Sequence, residues 1–169
     1  MPKPGSAPRQ AKRKEEEAER QREEEAARLL AEEERRRAEI RQQEEWRTAI
    51  EQVLRQYNDA AKRFASEKDA AMRRESMVDV RNSIANLASS LPQISLGGCP
   101  EDFRAAFMKN VNAIGDQMRF IDENLMGVRG LFRVLGNPDA VQNEGSTLDA
   151  NVANTLRELV EVAERYGVQ

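Results

Sequence analysis

Between Arg9 and Glu45 the chain is built almost entirely from Glu, Arg, Lys, Gln and Ala, and it contains neither Gly nor Pro there. Such residues favour helix at nearly every position, yet they offer too little apolar surface to bury that helix in a core. The stretch is therefore expected to form a solvated helical rod, and any core must come from the residues after Glu45. Its large aliphatic residues are Leu29, Leu30 and Ile40. With so little packing its helicity is expected to be marginal and to fray toward residue 9. Opposite charges four apart, such as Glu16 with Arg20 and Glu24 with Arg28, add a few tenths of a kcal/mol per pair.

Ahead of the rod, Lys3, Arg9, Lys12, Arg13 and Lys14 face no acidic residue within the first fourteen positions, and Pro2, Pro4, Gly5 and Pro8 favour irregular backbone. This segment reads first as a flexible solubilising start, and second as an electrostatic arm for nucleic acid or an anionic membrane. The whole chain carries 27 Lys and Arg against 30 Asp and Glu, so attraction to a polyanion would have to be local.

From Trp46 the apolar residues fall into register. Trp46, Ile50, Val53, Tyr57, Ala60 and Phe64 step by fours and threes, as a helix seam facing another helix does. A second run, Met77, Val80, Ile84, Leu87 and Leu91, repeats the alternation in a different phase. The sequence between Ser66 and Glu75 has no Gly or Pro, so one long helix with a phase slip is preferred to two helices. Pro92, Gly97 and Gly98 end it.

Pro100 suits the start of the next helix, with Glu101 and Asp102 complementing its N-terminal dipole. Its expected seam runs through Phe103, Phe107, Val111, Ile114, Met118, Ile121, Leu125, Val128, Phe132 and Leu135, with a stop at Gly136 and Pro138. Residues 137–145 read as a polar loop. Ser146 or Thr147 then caps a final helix striped by Leu148, Val152, Leu156, Leu159, Ala163 and Tyr166, and Gly167 ends it.

The expected fold is all-α. A long charged N-terminal helix leads into a small antiparallel three-helix bundle or coiled-coil-like module, with a four-helix bundle as the alternative. The expected divisions are a basic segment over 1–14, a stalk over 15–45 and a bundle over 46–169. In the three-helix arrangement the first long helix outruns its partners, which would leave the Trp46, Ile50, Val53, Tyr57 and Phe64 seam open to a protein partner or a second copy.

Chemistry is sparsely marked. There is no His and there is one Cys, which removes the commonest general base, the commonest metal ligand and any internal disulfide framework. Cys99 sits near a helix start, but Glu101 and Asp102 oppose its ionisation and no His or Lys stands beside it, so it reads as structural. Gly127-Val128-Arg129-Gly130 fits no phosphate-loop pattern. With Gly115, those glycines instead suggest a close crossing or bend. Met77 and Met118 lie on seams and read as core.

No cofactor, metal or small-molecule substrate is expected. The expected function is a non-enzymatic tether, adaptor or scaffold that self-associates or binds a partner helix. A basic-arm module for nucleic acid or anionic membrane and a carboxylate-based enzyme are the alternatives. No apolar run approaches the roughly 18 residues of a membrane span, and no apolar segment follows the charged start. The chain is therefore expected to be cytoplasmic, with a removed anchor left open.

Overall fold

The computed structural model describes residues 7–124, 126 and 134–168, which form helices and connecting turns and contain no strand. Helix α1 spans Ala7–Arg73, α2 Met77–Ser90, α3 Glu101–Asn124 and α4 Pro138–Arg165, with a 3-10 turn at Leu91–Gln93. Residues 134–136 are also helical. The chain divides into two compact units, Met1–Glu44 and Glu45–Gln169.

In the first unit, Arg13 and residues 15–44 of α1 are all exposed, including Leu29 and Leu30 at 62% and Ile40 at 48%. Nothing within the unit covers them, as expected for a helix that is polar all round. Glu33 accepts a hydrogen bond from Arg37 at 2.6 Å, an exposed pair one helical turn apart.

Among the described residues, the second unit packs the end of α1 with α2, α3 and α4, closer to the four-helix alternative expected from the sequence than to three helices. Ala49 lies beside Gly98, where a Cβ would stand 3.5 Å from that of Ala49, and Tyr57 lies beside Phe107 and Asn110, so α1 runs parallel to α3. Helix α2 returns between them: Asn86 donates to Glu67 at 3.1 Å, and Arg81 donates to Asp122 at 2.7 and 3.1 Å. Helix α4 runs antiparallel to α3 in one constant register. Rungs join Asp102 to Tyr166, Lys109 to Glu158, Asn110 to Thr155, and Gln117 to Asp149.

The preferred single helix over 46–91 is corrected. Its break uses neither Gly nor Pro: Glu75 takes φ +53°, the Glu75 N–H donates to the Met72 carbonyl at 3.0 Å, and the Ser76 N–H donates to the Ala71 carbonyl at 3.1 Å. This pair of bonds is a Schellman cap with a glutamate where glycine is usual. Ser76 then caps α2, its hydroxyl accepting from the Asp79 N–H at 3.3 Å. Met77, the first residue of the new helix, is 63% exposed, so it is not core, whereas Met118 is buried.

The expected loop over 137–145 is also corrected. Asn137 caps α4 with its side chain accepting from the Ala140 N–H at 3.3 Å, Pro138 occupies the first turn, and the helix continues through Gly145. A Cβ at Gly145 would stand 3.3 Å from the Phe120 ring, so the missing side chain makes room for that ring. Gly115 has the opposite character. A Cβ there would meet nothing within 4 Å, so the close crossing expected at that position is absent.

At the other end of α4 the Gly167 N–H bonds the Glu164 carbonyl at 2.9 Å and the Val168 N–H bonds the Ala163 carbonyl at 3.3 Å. Gly167 has φ +75°, and Val168 folds back into the core. This is a second Schellman cap, here built on glycine. Of the seam expected over Phe103–Leu135, Phe103, Phe107, Val111, Ile114 and Met118 are buried in α3 and Ile121 is half-buried; α3 ends at Asn124, Leu135 beyond it is 71% exposed, and Leu125, Val128 and Phe132 lie outside the described residues, as do Gly127 and Gly130.

Candidate interaction surface

The seam offered by the sequence as an open surface turns inward. Ile50 is 0%, Val53 2% and Tyr57 8% exposed, and all three belong to the cluster that includes Phe103, Phe107 and Leu159. Trp46 is half-buried, its ring edge-on to Tyr166 with centroids 5.8 Å apart, and Phe64 is half-buried with the Lys68 amine 5.8 Å above its ring. Of the expected partner seam, Ile50, Val53 and Tyr57 are therefore not open to a second helix, while Trp46 and Phe64 keep part of their surface exposed. The expected overshoot is absent because α2 turns back along α1 and α3 lies against the seam.

At the centre of this packing lies a buried polar network. The Tyr57 hydroxyl donates to Asn110 Oδ1 at 2.9 Å, and Asn110 Nδ2 donates to Thr155 Oγ1 at 3.0 Å and to the Val152 carbonyl at 3.3 Å. The Thr155 hydroxyl in turn donates to the Asn151 carbonyl at 2.9 Å and the Val152 carbonyl at 3.0 Å. Three helices thus share one satisfied set of bonds, which fixes their mutual register because a buried unpaired amide is costly. Burial pushes the Tyr57 phenol above its ordinary value. Sequence reading did not single out Asn110 or Thr155. The available signal was a polar residue inside an apolar stripe: Asn110 follows Phe107 by three and precedes Ile114 by four, and Thr155 stands likewise between Val152 and Leu159.

Near the opposite edge, Asp102 accepts from the Tyr166 hydroxyl at 2.8 Å and pairs with Arg165 at 3.2 Å, tying the end of α4 to the start of α3. Burial and this bond to Asp102 raise the Tyr166 phenol. Cys99 is 6% exposed within the core cluster, and burial pushes its thiol up, with Arg104 opposing. That agrees with a structural role.

A groove of about 980 Å³ lies between α1 and the C-terminal half of α4. Its floor is apolar: Leu54 and Leu156 are half-buried against the core, and Val160 is 43% exposed. Its rims are charged in alternation, with Arg47, Glu51, Arg55, Asp59 and Lys62 on α1 and Glu164 on α4. Within this row Arg47 donates to Glu51 at 3.0 Å. An apolar floor between mixed charged rims is suited to an amphipathic helix.

Of the basic segment, Arg13 is exposed, while Lys3 and the side chains of Arg9, Lys12 and Lys14 lie outside the described residues. Among the described residues no helix is long and apolar enough to cross a membrane, and no group of three or more His, Cys, Asp or Glu is placed to hold a metal ion. Compared with protein-family models, curated proteins and solved structures, the chain matches none.

Proposed function

We propose that this chain is a non-enzymatic tether or scaffold, in which a charged helical spacer is joined to a helical module that engages another helix. The observation that carries the reading is the change in character within α1. Its side chains over 15–45 are all exposed, and from Ile50 onward it supplies Ile50, Val53, Tyr57 and Ala60 to a core. A helix that is solvated on every face contributes little to folding free energy, so its length is best explained by the distance it spans. At about 1.5 Å per residue, residues 15–45 extend roughly 45 Å.

The spacer is tested in the full chain by placing spin labels through Gln21→Cys and Gln42→Cys and measuring their separation by double electron–electron resonance. A narrow distribution centred near about 32 Å is expected for an unbroken helix. A broad distribution, or one centred well below that distance, would show that the segment collapses and would remove the spacer.

A further inference from the structure

We infer that the α1/α4 groove is a homodimer interface, occupied by α1 of a second copy running antiparallel. The inference rests on the scaffold reading and names the helix that the module engages.

The first support is the charge row. Arg47, Glu51, Arg55 and Asp59 stand four residues apart on one side of α1, alternating in sign. If two copies of this row meet antiparallel about a two-fold axis level with residue 53, Arg47 lies against Asp59 of the second copy and Glu51 against Arg55. Symmetry then supplies both pairs again. A two-fold interface must be complementary to itself, and this row meets that condition. A row of one sign would repel its copy.

The second support is the balance of the rims. Three cations, Arg47, Arg55 and Lys62, face three anions, Glu51, Asp59 and Glu164, so the groove offers no net field to a polyanion. A helix carrying the same alternation meets opposite charges along its length, and α1 is such a helix. The third support is the floor. Val160 is 43% exposed between half-buried Leu54 and Leu156, and a helix laid over them removes that surface from water. A two-fold axis perpendicular to α1 sets the incoming helix antiparallel to α1, and therefore parallel to α4.

The test is sedimentation velocity of the full chain over roughly 1 to 100 µM, with circular dichroism melts to confirm that each variant is folded. The mass is expected to rise from one chain toward two. Glu51→Arg alone, or Arg55→Glu alone, places like charges together at two symmetric positions and should weaken dimerisation by about tenfold or more. The double variant carrying both changes restores opposition and should return the dimerisation constant to within about threefold of the original. Val160→Glu, on the other helix, should weaken the dimer independently.

A monomer at every concentration overturns the interface. So does a dimer indifferent to the single charge reversals or to Val160→Glu, and so does a double variant no tighter than the singles. A monomer whose spacer keeps its length sinks the dimer and leaves the tether reading standing. A dimer with a collapsed spacer does the reverse.

Discussion

The Tyr57 hydroxyl hydrogen-bonds Asn110 Oδ1 at 2.9 Å across 53 positions of sequence, and the same amide holds Thr155 through its nitrogen. Asn110 is 0% exposed, so its amide is satisfied wholly by these protein partners.

Asn110→Ala is accordingly expected to lower stability by about 1 to 3 kcal/mol for the Tyr57 hydroxyl left without its acceptor, with a further loss from the space left behind; Thr155 keeps its bonds to the Asn151 and Val152 carbonyls. Urea unfolding followed by circular dichroism measures this as a lower midpoint. A midpoint within error of the parent would mean that the network contributes nothing to the bundle.

Glu75→Gly should act in the opposite direction. Glu75 holds φ +53°, which a side chain disfavours by about 1 to 2 kcal/mol, although glycine returns part of that through its freer unfolded chain. A net gain of up to about 1 kcal/mol is expected, seen as a thermal midpoint raised by roughly 2 to 4 °C. Glu75→Val, with a branched side chain at the same φ, should lower it. If glycine lowered the midpoint as well, the Glu75 side chain would have to stabilise the turn by more than the strain it brings.

Stability should also fall in alkali. Burial raises the Tyr57 phenol, and burial with the bond to Asp102 raises that of Tyr166. Both therefore remain protonated in the folded chain at pH values where the unfolded chain has begun to ionise. Their contribution is complete below the ordinary tyrosine value near 10 and is lost as pH rises through the raised folded values. Denaturant midpoints measured from about pH 8 to pH 11 should decline, and Tyr57→Phe should make the decline shallower while lowering stability at neutral pH. A midpoint that stayed flat to pH 11 would show that neither phenol is held neutral by the fold.

The helices were legible in the sequence wherever apolar residues recur at three and four, as in Phe103, Phe107, Val111 and Ile114, because burying that stripe is what stabilises a helix. What was not legible was punctuation made from ordinary residues. The break at Glu75 depends on two backbone bonds to Ala71 and Met72, which leave no mark in composition. Asn137 followed by Pro138 and Asp139 is a helix-start pattern, but Gly136 and Pro138 also form a helix-stop pattern, and Gly145 inside the helix finds its reason only in the Phe120 ring of another helix.

Tertiary consequences were harder to read than helices. The seam of Ile50, Val53 and Tyr57 is plainly apolar in the sequence, yet its partner depends on helix lengths, and one missed turn changes those lengths. The groove was invisible for a related reason, since Leu54 and Val160 lie on different helices and neither belongs to the core stripe of its own.

Cys99 has a practical consequence for chemistry performed on this protein. Alkylating reagents and disulfide exchange act on an accessible thiolate, and here both access and ionisation are suppressed. Toward maleimides Cys99 of the folded chain is therefore expected to react more slowly than a cysteine added at an exposed position, so a probe is selected by placement. For the same reason, two copies of the folded native chain have no ready means of becoming covalently joined by air oxidation.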